Sequence, residues 1–316
     1  MSTTSTPQVY RTWMIDSRRW DGYRPRAGDI IVATYPKCGT TWMQQIVSLL
    51  IFQSTEPRDI GETAPWIDRR VAPPVEALFA ALDAQTHRRF LKSHLPFDGL
   101  PSFDAVRYIH VARDGRDACL SYHNQITRFR PEVRAELDRI GIADETLRRP
   151  YPHIPVHAAD YFRMWLSEGV GRGKDGTPNL SYFDLERTYW AARRKPNLLM
   201  VHYRDLKADL AGEMRRVARF LDIDVPDAIF PELVEAATFE QMRRVGDKLM
   251  PRVLRTFEGG ADRFFYKGEN DRWRDVLTSD DVARYEEKVK ASLSPACAAW
   301  LERGRFGSCD PRDAPD

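Results

Sequence analysis

The chain has 316 residues, of which 42% are hydrophobic and 30% charged, the composition of a globular protein. Its 48 Lys and Arg nearly balance 46 Asp and Glu, and the formal net charge of +2 argues against a protein that coats nucleic acid. The longest apolar stretch, residues 46–52, is too short for a membrane span, and residues 1–8 carry no signal-peptide pattern. Four cysteines without a CxxC pair favour a reducing, cytoplasmic location over a zinc or disulfide framework.

Strand-like apolar runs alternate with helix-like segments, which predicts an α/β fold with a central, mainly parallel sheet flanked by helices. The predicted strands are residues 29–34, 89–92, 106–111 and 197–202. The predicted helices are residues 40–53, 114–125, 206–220 and 280–293. We expect a single domain over residues 1–316, with a disordered tail at 1–9 and an insertion or lid at 129–194 near the acceptor pocket. Ligands of open α/β sheets bind at the carboxyl ends of the strands, so the strand–helix junctions are the candidate sites.

The first junction, residues 34–42, leads a buried strand through a Pro/Gly turn into a helix that starts with hydroxyl residues. Unpaired N–H groups at a helix start favour a phosphate. Gly39 allows close approach of the backbone, Lys37 adds a charge, and Thr40 and Thr41 add hydroxyl donors. The alternative is an ordinary turn with a threonine cap. The GxxxxGK[ST] loop of nucleotide hydrolases is absent from the sequence.

The second junction carries Lys92 and His94, which share one face of an extended segment. A histidine with an ordinary pKa can take a proton at neutral pH, and a neighbouring lysine helps to keep the imidazole neutral. A lone histidine is more often structural, so both interpretations stay open at this point.

The third junction carries Arg113, followed by a helix start and by Ser121 about two turns along. The arginine fork suits a phosphate, and two anion-binding strand ends indicate a ligand with two separated phosphate groups. The alternative is that Arg113 and Arg116 form ion pairs with Asp114 and Asp117.

Three other features carry weaker signals. Residues 171–176 match GxGxxG without the flanking strand and helix, so we interpret them as a flexible loop. His153 and His157 are four residues apart, but Pro155 argues against a helical metal pair. The insertion is rich in aromatic residues, which form either core packing or an acceptor pocket: Tyr161, Phe162, Trp165, Tyr182, Phe183, Tyr189 and Trp190.

These motifs, in this order, resemble the cytosolic sulfotransferase family, which transfers a sulfuryl group from 3′-phosphoadenosine-5′-phosphosulfate (PAPS). The likeness spans roughly residues 29–273. Residues 201–206 are similar to the family's Tyr-Glu-Asp element, residues 238–242 to the segment around the adenine, and residues 265–268 with Trp273 to its closing loop. The resemblance implies a single-domain fold related to P-loop kinases.

The resemblance also implies roles for individual residues. His94 would deprotonate an acceptor hydroxyl or amine, Lys37 and Lys92 would neutralise developing charge, and Ser121 would restrain Lys37. The implied donor-binding residues are Lys37, Cys38, Gly39, Thr40, Thr41, Trp42, Arg113, Ser121, Tyr203, Thr238, Phe239, Met242, Tyr266, Lys267 and Gly268. It implies adenosine 3′,5′-bisphosphate (PAP) as a product, no metal, and a small, hydrophobic or aromatic acceptor such as a phenol, steroid, lipid or antibiotic.

The sequence departs from the family pattern at several points. Cys38 replaces the usual serine, and a thiol at a helix N-terminus could have a lowered pKa and be redox-sensitive. Tyr266 replaces an arginine that helps to hold the 3′-phosphate. The residues that could compensate are Arg263, Arg272 and Arg274. Of the C-terminal motif through which members of the family dimerise, this sequence keeps only Thr278, which favours a monomer or a weak homodimer.

Two other function classes stay open. A small-molecule kinase would need a GK[ST] loop and a magnesium carboxylate, neither of which the sequence presents. A catalytically silent nucleotide-binding relative would not need both Lys37 and His94.

Overall fold

The computed structural model describes residues 6–71, 73–167 and 180–315. Within them, a four-stranded sheet contains β1 (Ile30–Ala33), β2 (Phe90–Ser93), β3 (Arg107–Ala112) and β4 (Leu198–His202), in the order β2-β1-β3-β4. Every neighbouring pair is parallel, so all four carboxyl ends meet at one edge of the sheet. The predicted α/β fold is thereby confirmed.

Helices cover both faces of this sheet. They are α1 (Thr40–Phe52), α2 (Ile60–Thr63), α3 (Val75–Asp83), α4 (Gly115–Ile126), α5 (Pro131–Ala143), α6 (Ala158–Ser167), α7 (Tyr182–Ala192), α8 (Tyr203–Ala208), α9 (Leu210–Phe220), α10 (Phe230–Ala236), α11 (Phe239–Arg244), α12 (Gly246–Leu249), α13 (Pro251–Thr256), α14 (Gly260–Phe264), α15 (Ser279–Ser292) and α16 (Pro295–Gly307). Short 3₁₀ helices lie at Ser17–Trp20, Phe97–Gly99, Arg272–Asp275 and Pro311–Asp313. In the ranges that the structure describes, no helix is long and apolar enough to cross a bilayer.

The strands read as continuous apolar runs because both faces of the sheet are buried. On one face, Ile30 and Val32 join a cluster with the apolar side of α1, α9 and α10. On the other face, Ile31 and Ala33 join a larger cluster that includes residues of α4, α6, α7 and α16. The period-2 alternation of the strand therefore divides the core into two layers, with the sheet between them.

The C-terminal half differs from the predicted elements in three ways. The predicted helix at 206–220 is two helices, because Asp209 leaves helical geometry (φ −147°) and its carboxylate accepts the Gly212 N–H at 2.8 Å as the cap of α9. Residues 246–264, which lack periodicity, form the short helices α12, α13 and α14. A further helix, α16, follows α15; its start is capped by Ser294 with a proline at the first helical position.

The insertion at 129–194 contributes mainly to the core. Tyr182 and Tyr189 of α7 are buried within the larger apolar cluster, together with Phe162 of α6. The predicted GxGxxG loop at 171–176 lies outside the described residues, as do residues 1–5 of the predicted tail. Within the described part of this segment, the Gln8 N–H donates to the Asp98 carbonyl at 2.8 Å.

Candidate active site

A cavity of about 310 Å³ opens at the carboxyl edge of the sheet. It collects residues from all three predicted junctions and from the C-terminal loops. Among the predicted site residues, those lining it are Lys37, Gly39, Thr40, Thr41, Trp42, Lys92, His94, Arg113, Ser121, Tyr203, Phe239, Met242, Tyr266, Lys267 and Gly268. Lys37 and Gly268 thus line one cavity although they are 231 positions apart in the sequence. The parallel strands bring the three junctions to one edge of the sheet.

The loop between β1 and α1 is held in a strained, closed turn. Lys37 has φ 69° and Gly39 has φ 109°, both in the left-handed region. A side chain at Gly39 would also meet the Tyr203 ring at 3.0 Å. The hydroxyls of Thr34 and Thr40 lie 2.5 Å apart and join the two ends of the turn. The first N–H groups of α1 therefore border the cavity, as an anion site requires.

His94 is buried at the end of β2, and its ring orientation is determined by the backbone of β1. The Nδ1 atom lies 2.7 Å from the Thr34 carbonyl, which can only accept, so Nδ1 carries the proton and Nε2 has the free lone pair. Burial lowers the pKa of His94 well below its ordinary value, and the charge of Lys92 lowers it further. The imidazole is thus a neutral proton acceptor at physiological pH.

Two lysines stand beside this imidazole with their ammonium groups on aromatic rings. The Lys37 Nζ lies 4.4 Å from the Phe264 ring centre, and the Lys92 Nζ lies 4.5 Å from that of Trp66. Burial, followed by the charge of Arg113, lowers the pKa of Lys37 to about 7. Burial, followed by the charge of Arg69, lowers the pKa of Lys92 to about 8. Anions entering the cavity would restore both charges.

Arg113 and Arg116 have different surroundings at this junction. Arg116 pairs with Asp114 at 2.6 Å and is buried. Arg113 lies 4.3 Å over the Tyr203 ring and donates to the Glu269 carbonyl at 2.5 Å. Its buried Nε has no hydrogen-bond partner among the described residues. An orphaned guanidinium N–H in a cavity is suited to a ligand anion.

The wall opposite the loop is aromatic. Trp42 and Tyr203 pack edge to face at 5.2 Å, and the Trp42 indole donates to the Ala237 carbonyl at 2.7 Å. Gly268 has φ 63°, and a Cβ there would meet the Phe239 ring at 2.7 Å. The backbone of residues 271 and 272 donates to the Asp117 carboxylate, which fixes the closing loop to α4.

Two predicted donor-binding side chains lie outside the cavity lining. Cys38 is fully buried in the core, where burial raises its thiol pKa well above the usual value. The thiol pKa is thus raised and not lowered, because desolvation outweighs the helix N-terminus. Thr238 caps α11 by accepting the Gln241 N–H at 3.3 Å.

Several expectations about neighbouring side chains need correction or sharpening. Among the described residues, Ser121 and Lys37 share no hydrogen bond, and Lys37 contacts Phe264 instead. Arg272 lies 4.7 Å from the Tyr266 ring and lines the cavity, as does Arg263. Arg274 does not line it. None of the seven aromatic residues of the insertion lines it either, so their role is core packing.

Sequence reasoning missed the buried Asp68 and three charged residues that line the cavity, Arg69, Arg252 and Glu269. The buried Asp68 carboxylate accepts the His94 amide at 3.1 Å and the Trp66 indole at 3.0 Å. Arg69 and Arg252 add charge, and Glu269 is the only carboxylate among the described lining residues. No motif marks these positions. In the described part of the chain, no cluster of three His, Cys, Asp or Glu could hold a metal.

Comparison with known proteins agrees with this geometry. The profile of the family described as "Sulfotransferase domain" matches residues 27–295. The chain is 34% identical to a glycolipid sulfotransferase of Mycobacterium bovis, over 95% of both chains, and 26% identical to the luciferin sulfotransferase of Photinus pyralis, over 85% of this chain and 72% of that one. Its fold is similar to retinol dehydratase in complex with androsterone and inactive cofactor PAP (TM-score 0.68, 23% identity, 92% and 88% coverage). The chain therefore belongs to the sulfotransferase family of enzymes.

Proposed function

We propose that this protein transfers a sulfuryl group from PAPS to a hydroxyl group of an amphiphilic acceptor, with His94 as the base. The observation that carries the proposal is the contact between His94 Nδ1 and the Thr34 carbonyl, since it leaves Nε2 free to accept a proton. The lowered pKa keeps that nitrogen unprotonated. We further propose that residues 1–316 act as one domain, with Phe129 of the insertion beside the acceptor.

The charges in the cavity support an adenosine bisphosphate as its ligand. Lys37 and the first turn of α1 would bind the 5′-phosphosulfate, while the orphaned Nε of Arg113 and the hydroxyl of Ser121 would bind the 3′-phosphate. Trp42 and Phe239 would pack on the adenine. Lys267 or Arg272 would supply the charge that Tyr266 lacks.

The donor would supply an activated sulfuryl group and a good leaving group. Residues of the chain would accept the proton and neutralise the developing charge. His94 Nε2 would accept the proton of the acceptor hydroxyl while the oxygen of that hydroxyl forms its bond to sulfur. Lys37 would place positive charge beside the bridging oxygen as the S–O bond to the 5′-phosphate breaks, and Lys92 would neutralise the sulfuryl and 5′-phosphate oxygens. Stabilisation of developing charge of this kind contributes several kcal/mol.

Two observations support the proposed acceptor class. The relatives that are 34% identical are named glycolipid sulfotransferases. The cavity beyond His94 is lined by apolar side chains such as Met14, Phe129 and Phe257. Both support an acceptor with a hydroxyl group and an extended apolar part.

A thermal-shift and transfer experiment tests the proposal. PAP should stabilise the protein, whereas ATP with magnesium should stabilise it less; the reverse order would favour a kinase. His94→Ala should lose transfer from labelled PAPS by at least about a thousandfold and keep the PAP shift. His153→Ala, at an exposed position outside the cavity, is the matched control. Normal turnover by His94→Ala would show that His94 is not the base.

A further inference from the structure

Arg69 is a cation that lines the cavity but has no role in the proposed binding of the donor. Its backbone is held in an antiparallel bridge to Ile15, and its guanidinium lies 5.8 Å from the Trp66 ring. Its buried Nε has no partner among the described residues, and no described carboxylate forms an ion pair with it. A buried guanidinium N–H without a hydrogen-bond acceptor costs desolvation free energy, which a ligand that accepts the hydrogen bond would offset.

Burial, followed by the charge of Arg252 in the first turn of α13, lowers the pKa of Arg69. The side chain of Arg252 is exposed at the mouth of the cavity, and it has no ion pair among the described residues. The pKa of Lys92 is lowered by burial and, next, by the charge of Arg69. Three cations therefore lie close together here, and the carboxylate that acts on Lys92 is the buried Asp68, which also accepts hydrogen bonds from the His94 amide and the Trp66 indole. The positive charges outnumber this carboxylate, which favours binding of an anion.

The donor-binding residues of the proposed function do not include these arginines. Met14 lines the same cavity as Arg69, and the Trp66 ring contacts both the Arg69 guanidinium and the Lys92 ammonium. The Trp66 ring also packs edge to face on the His94 ring, with 4.9 Å between the ring centres. Arg69 therefore lies one aromatic ring away from the proposed base, where it is available to an acceptor.

We propose that the acceptor carries an oxyanion group, a carboxylate or a phosphate ester, in addition to the hydroxyl that is sulfated. Arg69 binds this group with a two-pronged contact and Arg252 adds charge at the entrance, while the apolar part of the acceptor packs on Met14 and Phe257. Arg69 would then determine acceptor specificity. The inference rests on the proposed function and names the substrate class of that site.

Calorimetric titration of the PAP-bound protein tests the inference without requiring turnover. The probes are 12-hydroxydodecanoate, 12-hydroxydodecyl phosphate and the neutral 1,12-dodecanediol, which share chain length and hydroxyl group. We expect at least one anionic probe to bind about tenfold more tightly than the diol. The stronger of the two identifies carboxylate or phosphate as the preferred group.

Substitutions assign the effect to the arginine. Arg69→Gln should remove most of the preference for the anionic probe and leave the affinity for the diol within about twofold, and Arg252→Gln should remove a smaller part. Arg303→Gln, at an exposed position outside the cavity, makes the same charge change and should alter neither affinity. Equal affinity for anionic and neutral probes, absence of binding by all three, or an unchanged preference in Arg69→Gln would overturn the inference.

The PAP thermal shift separates this failure from failure of the proposed function. If PAP stabilises the protein and the anion preference is absent, only the acceptor inference is wrong. If PAP does not bind at all, the proposed function is wrong, and the acceptor inference falls with it.

Discussion

The affinity for PAP should depend steeply on pH above 7, because Lys37 carries its charge only partly in the free protein. Burial and the neighbouring charge of Arg113 lower its pKa to about 7. A lysine with a lowered pKa is charged below that pH and becomes neutral as the pH rises through it. Neutral Lys37 gives the 5′-phosphate no counter-charge, so binding must take up a proton and weakens as protons become scarce.

The size of the effect follows from the charged fraction. That fraction of Lys37 falls from about one half at pH 7 to about 1% at pH 9, which predicts roughly 50-fold weaker PAP binding. Lys92, with a pKa of about 8, loses most of its charge over the same interval and adds about tenfold. The phosphates of PAP are ionised throughout this range, so they contribute little to the change.

Titration calorimetry at pH 7, 8 and 9 measures the effect in the wild type and in Lys37→Arg. Arginine stays charged at all three values, so the variant should retain only the tenfold decline due to Lys92. Lys248→Arg, at an exposed position outside the cavity, should behave as the wild type. A wild-type affinity that is constant between pH 7 and 9, or a Lys37→Arg variant with the full decline, would refute the reasoning.

Three further outcomes are expected. Asp68→Ala leaves the amide and indole N–H groups that it binds without a partner, so steady-state kcat should fall about 10–100-fold with PAP affinity nearly unchanged, and Asp68→Asn should restore part of the rate. Gly268→Ala should weaken PAP binding at least about tenfold in calorimetry, since φ is 63° and its Cβ would collide with Phe239; wild-type affinity would contradict this. In mass-spectrometric alkylation of the native protein, Cys38 should react far more slowly than the partly exposed Cys309, and equal rates would show that the thiol is accessible.

Sequence alone determined the fold class and the outline of the candidate site. The strands are recognisable because each is a short apolar run buried on both faces. The loop from 34 to 42 is recognisable because its motif residues are close neighbours in the sequence. Lys37 lies within five residues of the strand and helix that position it. Lys92 and His94 likewise follow directly from the end of β2. Such features depend on near neighbours in the chain, so the sequence contains their geometry.

Tertiary structure decided which side chains face the cavity and which pair with each other. Cys38 and Gly39 are adjacent in the same motif, yet the thiol turns into the core and the glycine borders the site. Arg116 is paired with Asp114, while Arg113 keeps a free N–H. Arg69 approaches Lys92 because residues 66–69 bridge to Lys92 through Trp66 and to Ile15 through Arg69. Contacts between distant segments depend on packing of the whole core, and no local pattern in the sequence records them.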